Sequence, residues 1–165
     1  TPAFALHLRS ALEQVGGWDE QFITSQDSDL SMRLIKEGFT LYRTPEISVE
    51  MRRRTSLSSW YLMSHRYGFW RTKVLLKHPS RIVLRELLPL LGALFTIGLF
   101  VVNPGLGIFP LLTYGSVLFL SGLYSTRKGL PHLLGVPLCL FILHIGFTLG
   151  LLDGCVRKGR APRDR

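Results

Sequence analysis

Residues Leu87–Thr126 read LLPLLGALFTIGLFVVNPGLGIFPLLTYGSVLFLSGLYST, 40 consecutive positions without an acid or a base. Asn103-Pro104-Gly105 carries turn chemistry and divides the run into a hairpin of two apolar segments. A second uncharged run covers Gly129–Leu152, after the short basic loop Ser125-Thr-Arg-Lys-Gly129. A transmembrane helix needs about 20 apolar residues, with about 17 as the lower limit. The pattern therefore predicts three membrane helices at about 82–102, 107–125 and 130–152, the first reaching back past Arg85 and Glu86.

The charges lie outside these runs. The 165 residues carry a formal net charge of +9, but eight of the eleven acids fall in residues 1–50, beside only four bases. Residues 51–86 hold nine bases and one acid, and the tail from Arg157 to Arg165 holds five bases and one acid. Four regions follow: a slightly acidic segment at 1–51, a basic linker at 52–80, a transmembrane region at 81–156 and a basic tail at 157–165. The 47% apolar content excludes a disordered chain, and two cysteines exclude a disulfide-stapled secreted domain. No signal peptide precedes the first segment, so it is expected on the cytoplasmic side of an inner membrane crossed several times. The positive-inside rule places residues 51–85, the Arg127-Lys128 loop and the tail in the cytoplasm as well. Three spans from a cytoplasmic start would end outside, so the side of the tail stays open.

The linker reads as a helix over 56–78. Leu57, Trp60, Met63, Tyr67, Trp70 and Val74 recur every three or four positions, flanked by Arg66, Arg71, Lys73 and Lys77. Aromatic rings and bases next to a span suit the headgroup region and anionic lipid, which gives an interfacial helix. A helix packed on the first segment, with its bases in water, is the other reading.

In the first segment, Phe4–Leu8 reads as a strand and Arg9–Val15 as a helix ended by Gly16-Gly17. Gln26–Glu37 reads as a second helix, N-capped by Thr24 or Ser25, with Leu30, Leu34 and Ile35 at helical spacing and Gly38 as its stop. Phe39–Tyr42 and Ile47–Met51 read as strands. Short turns between helices and strands suggest the end of an α/β domain. Some 50 residues lie near the floor for independent folding, so this segment is expected to be part of something larger. Asp27 stands in the first helical turn, where the positive end of the helix dipole favours a negative charge. A carboxylate so placed can accept a proton from a hydroxyl. Thr24-x-x-Asp27 also spells a helix-capping arrangement, so spacing alone leaves both roles open. Asp29 and Arg33, four apart, are positioned to pair.

The string Gly16-Gly-Trp-Asp-Glu-Gln-Phe22, followed by Gln26-Asp-Ser-Asp-Leu-Ser-Met-Arg-Leu34 and Glu37-Gly-Phe39, resembles the acceptor-side half of family 2 glycosyltransferases. These enzymes have the GT-A fold and a pattern of the kind G-G-[FW]-D-E, then E-D-x-[DE]-L-x-x-R-L. The resemblance implies that the chain carries the C-terminal, acceptor-side part of a GT-A α/β fold. It implies that Asp27 is the catalytic base, and that Gly17, Trp18, Asp19 and Glu20 help to bind the acceptor. Gln26 departs from the first acid of the family's pair. His65-Arg-Tyr-Gly-Phe-Trp-Arg71, His78-Pro79, the spans and His144-x-Gly146 resemble the membrane-anchored, succinoglycan-type branch that builds bacterial exopolysaccharide. Arg66 and Trp70 faintly match the Q-x-x-R-W segment of processive synthases, without its Gln, and are acceptor-binding candidates on that ground. The family's Asp-x-Asp metal motif has no counterpart before residue 27; Asp27-Ser-Asp29 has that spelling, which leaves a metal-site reading open, but it lies where the family places its base. The implied donor is a nucleotide-sugar, expected to be a UDP-sugar. The implied acceptor is lipid-linked or a polysaccharide. The implied cofactor, Mg²⁺ or Mn²⁺, is expected on a missing N-terminal half, with no metal ligand in this chain and no activity for the chain alone.

Rival classes are weaker. Basic patches beside spans favour anionic lipid over nucleic acid. The histidines lack metal-ligand spacing, and the Ser, His and Asp residues lack a hydrolase elbow motif. An ion path has no acid or base to line it between residues 87 and 126. A small non-catalytic membrane anchor or assembly protein is the alternative that remains.

Overall fold

The computed structural model describes residues 5–50 and 54–157. Among the described residues six α-helices follow one another: α1 (Arg9–Gln14), α2 (Gln26–Lys36), α3 (Leu57–Lys77), α4 (Leu84–Val102), α5 (Pro104–Ser125) and α6 (His132–Val156). Short 3-10 turns at Pro79–Arg81 and Thr126–Lys128 join α3 to α4 and α5 to α6.

The expected α/β remnant is not seen: no strand occurs among the described residues. Residues 5–8, 39–42 and 47–50 have no regular secondary structure, while Phe4 and Met51 lie outside the described residues. A strand forms only when a neighbour receives its N–H and C=O groups. Here Leu41, Tyr42, Ile47 and Val49 are exposed, with no strand beside them. Arg52, Arg53 and the tail from 158 onward also lie outside the described residues.

The helices follow their local signals. Gly16, Gly17 and Gly38 have φ of 77°, 72° and 85°, the left-handed region that ends helices. The Gly17 N–H reaches the Leu12 carbonyl at 2.8 Å after α1, and the Phe39 N–H reaches Leu34 at 3.0 Å after α2. These are Schellman closures that satisfy carbonyls left over at each helix end. Ser25 holds the N-cap position of α2 with φ 64° and makes no side-chain cap, so the Thr24 and Ser25 caps are not made. Ala11, Leu30 and Leu34 form a small core between α1 and α2, with Leu12, Val15 and Phe39 packed on it. Ile35, at helical spacing with them, is half exposed.

The helices α4, α5 and α6 have 19, 22 and 25 residues and are long and apolar enough to cross a membrane. At 1.5 Å per residue they measure about 28, 33 and 37 Å, against a hydrocarbon core of about 30 Å. Their apolar side chains face outward along most of their length, among them Phe95, Val101, Phe109, Leu112 and Leu134. So much exposed apolar surface is what a helix that crosses a bilayer presents to lipid. Asn103 caps α5 by accepting the Gly105 N–H at 2.8 Å, and Pro104 sits at its first turn, so this span begins three residues earlier than the sequence reading.

The largest helix interface joins α3 to α6. Trp60 Nε1 donates to the Cys139 carbonyl (2.9 Å), Thr72 Oγ1 to Leu151 (2.9 Å), and Lys73 Nζ to Gly154 (2.8 Å) and Arg157 (2.6 Å). Partner numbers rise together along both helices, so α3 and α6 run parallel. The seam is made of small residues four apart: Ser64, Gly68 and Thr72 on α3, and Gly146, Gly150 and Gly154 on α6. A Cβ on Gly154 would lie 2.7 Å from the Phe69 carbonyl oxygen, and one on Gly146 2.8 Å from Ser64 Cβ. A Cβ on Gly68 would overlap the Phe147 backbone, and one on Gly150 the His65 carbonyl. Small residues let two backbones approach this closely, which is how helices associate without a hydrophobic drive. The packed face of α3 is therefore not the whole aromatic stripe; Leu57 and Tyr67 remain about half exposed. Between α5 and α6, Tyr114 Oη and His144 Nδ1 meet at 2.8 Å, and Gly122 abuts the first turns of α6 around Leu133 and Pro137.

Gly150→Leu should force α3 off α6 and destabilise the protein by about 3 kcal/mol, the upper range for overpacking. Gly135→Ala, where a Cβ meets nothing within 4 Å, should be neutral or slightly stabilising. Thermal unfolding of the two variants in the same detergent checks the contrast.

Candidate functional site

The site is built around one buried carboxylate. Asp29 has no solvent exposure and lies one turn into α2. Its Oδ2 accepts from Arg33 Nε at 2.9 Å, the i,i+4 pair expected from spacing. Its Oδ1 lies 2.7 Å from Lys77 Nζ and 2.8 Å from His78 Nε2, at the far end of α3. Lys77 also bonds Asp19 Oδ2 at 2.7 Å. The remaining guanidinium nitrogens of Arg33 donate to the carbonyls of Val15 (2.6 Å) and Gly17 (2.8 Å). Arg33 thus ties the Gly16-Gly17-Trp18-Asp19 turn to α2, and Lys77 and His78 tie α2 to α3. The left-handed glycines matter here because they turn the Val15 and Gly17 carbonyls toward one guanidinium.

Burial pushes the Asp29 carboxyl upward, but hydrogen bonds from Lys77, His78 and Arg33 outweigh it, and the net shift is downward from the usual aspartate value. The hydrogen bond from Lys77 lowers the Asp19 carboxyl. Burial pulls Lys77 down, and its bonds to Asp19 and Asp29 raise it above the ordinary lysine value.

Apolar contacts complete the joint. Phe22, Phe69, Trp70 and Val74 form a buried cluster, with Ile23 packed against it. The Phe22 and Trp70 rings are 5.6 Å apart, and Lys77 Nζ lies 5.2 Å from the Phe22 ring centre.

Asp27 sits partly exposed in the first turn of α2. Its Oδ1 accepts the Ser28 N–H at 2.8 Å, and its Oδ2 makes no hydrogen bond among the described residues. One oxygen is fixed and the other open. Gln26 stands beside it; with its amide nitrogen pointing inward, it donates to the Phe22 and Ile23 carbonyls at 3.0 and 3.2 Å. A glutamate at that position could not donate these bonds, which accounts physically for the departure from the acidic pair.

The other sequence candidates divide. Gly17 and Asp19 enter the polar network. Trp18 is 47% exposed and meets His7 edge to face at 5.7 Å, and Glu20 is exposed. Arg66 is half-buried on α3. Trp70 is 3% exposed and belongs to the buried cluster. Sequence reasoning missed the roles of Lys77 and His78, which lie 48 and 49 residues from Asp29 with no local pattern linking them. It also missed Arg71 and Glu86, whose side chains meet at 3.3 Å. Among the described residues no group of three or more His, Cys, Asp or Glu is placed to hold a metal ion.

Asp29→Asn should undock α2 from α3 and cost about 3 kcal/mol, the usual penalty for breaking a buried ion pair from one side. The check is amide hydrogen exchange, with faster exchange over Gln26–Lys36 and unchanged protection along α6. The pH dependence has a definite sign. The lowered Asp19 and Asp29 stabilise the joint above the unfolded carboxylate value of about 3.9, and this is lost as pH falls through their folded values. The raised Lys77 contributes below about 10.4, and this is lost as pH rises through its folded value. Tryptophan fluorescence of the Trp70 cluster should stay constant between about pH 5 and 9 and change at the acid and alkaline ends.

Comparison with known proteins places the chain. No family model matches it, and no solved structure matches it. It is 36% identical over 94 residues to the succinoglycan biosynthesis protein ExoA of Rhizobium meliloti, covering 57% of this chain and 28% of that protein. It is 30% identical over 140 residues to a dolichyl N-acetyl-alpha-D-glucosaminyl phosphate 3-beta-D-2,3-diacetamido-2,3-dideoxy-beta-D-glucuronosyltransferase of Methanococcus voltae, covering 85% of this chain and 42% of that one. It is 35% identical over 81 residues to the pre-mycofactocin glycosyltransferase of Mycobacterium tuberculosis, covering 48% and 17%. The chain thus spans less than half the length of these curated relatives. It is a relative of glycosyltransferases, in keeping with the family 2 resemblance of its Gly16–Phe39 motifs.

Proposed function

We propose that the chain forms the acceptor side of an inverting, membrane-bound family 2 glycosyltransferase with a GT-A catalytic domain, acting in cell-surface polysaccharide synthesis. The observation that carries this reading is the half-open Asp27 carboxylate in the first turn of a helix that Asp29 and Arg33 lock to the Gly16-Gly17-Trp18-Asp19 turn. In the reaction, a hydroxyl of a lipid-linked or polysaccharide acceptor attacks the anomeric carbon of a nucleotide-sugar, with a UDP-sugar as the expected donor. The oxygen–carbon bond forms as the bond to the nucleoside diphosphate breaks, and the hydroxyl proton passes to the open Asp27 oxygen. Trp18 and Glu20, exposed beside the turn, are placed to contact the acceptor sugar. Gly17 and Asp19 shape the turn. Arg66 and Trp70 act from α3, Trp70 by supporting Phe22 from the buried cluster.

The donor, and the Mg²⁺ or Mn²⁺ that the family resemblance implies, would be held by residues outside this chain, and the chain alone would not transfer sugar. No step here runs through the metal. The apolar helices and the relatives support a membrane location. We place it in the inner membrane, with residues 1–51 cytoplasmic. A non-catalytic anchor or assembly role is the second reading, favoured only by the shortness of the polar segment.

In a polypeptide that joins this chain to its donor-binding half, Asp27→Asn should reduce turnover by at least about 10²-fold, the low end for general base catalysis, while donor affinity stays unchanged. Radiolabelled sugar transfer and donor titration measure the two. Turnover within twofold of wild type would remove Asp27 as the base.

A further inference from the structure

A second charged cluster lies on the membrane side of the site, and the sequence motifs do not include it. Arg71 on α3 points its Nε at Glu86 Oε2, 3.3 Å away, and Arg81 points Nη1 at Glu86 Oε1, 3.6 Å away. Both distances exceed the 2.7–2.9 Å of a well-formed charge-assisted hydrogen bond. Arg71 Nη1 is buried and makes no hydrogen bond among the described residues. Two guanidinium groups therefore share one carboxylate loosely, and both Arg71 Nη1 and Glu86 Oε2 are buried without a hydrogen bond among the described residues. A buried donor left unmade is costly, and such exceptions ask for an explanation.

The location supplies one. Glu86 lies in the first turn of α4, whose apolar run begins at Leu84, so the cluster sits where the first candidate span meets water. The side chains of Arg71, Arg81 and Glu86 retain 20%, 30% and 18% of their exposure, so an anion can reach them. Burial lowers Arg71 below the usual arginine value, Glu86 opposes this, Arg81 adds to it, and the Asp27 carboxylate is close enough to oppose it too.

We propose that Arg71 and Arg81 form a binding site for the phosphate or diphosphate ester at the head of a lipid-borne acceptor, with Glu86 as the resident carboxylate that the phosphate displaces. Guanidinium groups match phosphate oxygens with paired N–H bonds, and Arg71 Nη1 gains the partner it lacks. A phosphate anchored there, at headgroup depth, leaves the sugar attached to it beside Asp27 while the lipid tail lies along α4. This rests on the acceptor-side reading above, but its test needs no transfer reaction.

The chain, reconstituted in phosphatidylcholine nanodiscs, is titrated with farnesyl phosphate, farnesyl diphosphate, farnesol, inorganic diphosphate and phosphatidylglycerol vesicles. Saturable binding of the two prenyl phosphates is expected, with little binding of farnesol. Arg71→Gln and Arg81→Gln should each weaken binding about tenfold or more, as expected for the loss of a charge-assisted contact. Glu86→Gln should strengthen it, because the competitor is gone; a merely structural Glu86 would not give a gain. Should Arg71→Gln fail to fold, Arg81→Gln and Glu86→Gln decide. Equal affinity for farnesol, or Arg81→Gln and Glu86→Gln both binding as wild type, overturns the proposal. Inorganic diphosphate binding as tightly as the prenyl esters overturns the lipid-borne source, and so does full competition by phosphatidylglycerol. Loss of the Asp27 assignment would leave these affinities unchanged, so the two readings fail separately.

Discussion

The buried carboxylate of Asp29 is the constraint on which the arrangement depends. An ionised group without exposure persists only if its charge is matched and its oxygens are bonded; here Arg33 and Lys77 match the charge, and with His78 they bond the oxygens. Arg33 comes from the same helix, whereas Lys77 and His78 come from the end of α3. Satisfying one carboxylate therefore brings together three parts of the chain: the glycine turn, the helix that carries Asp27, and the helix that leads to the membrane. Asp27 is two residues away on the same first turns, so whatever fixes Asp29 also fixes the orientation of Asp27.

The same joint connects the polar site to the apolar helices. α3 is bound to α2 at its C-terminal end and lies along α6 through Ser64, Gly68 and Thr72 against Gly146, Gly150 and Gly154. Backbones this close leave little freedom to slide, and the side-chain bonds from Trp60, Thr72 and Lys73 to α6 carbonyls fix the register. A polar site on α2 is thereby held at a set position relative to an apolar helix. Under the proposed function, an acceptor that travels in the membrane makes that rigidity useful, since a reacting hydroxyl must meet its base within hydrogen-bond reach.

Much of this was legible because the signals are local. The uncharged runs gave three apolar helices, and the starts of α2 and α3 fell at or within a residue of the expected positions. The Asp29–Arg33 pair followed from four-residue spacing. What escaped was non-local or depended on missing neighbours. The strands at 39–42 and 47–51 had the right residues but no adjacent strand to pair with. The seam on α3 was hidden because periodicity weighs large apolar side chains, and the residues that allow closest approach are the small ones between them. Lys77 and His78 read as a helix end and Arg71 as a flanking base; only folding brings them to Asp29 and Glu86.

The central claim is that Asp27 and the Gly16–Glu20 turn face the acceptor. It can be tested without the donor by photo-crosslinking the reconstituted chain to a prenyl-phosphate-linked sugar carrying a diazirine on its reacting ring, then mapping the labelled peptides by mass spectrometry. The account predicts label in the peptide that contains Trp18, Glu20 and Asp27, suppressed by excess unlabelled analogue. Label confined to α5 and α6, or unaffected by competition, would contradict it.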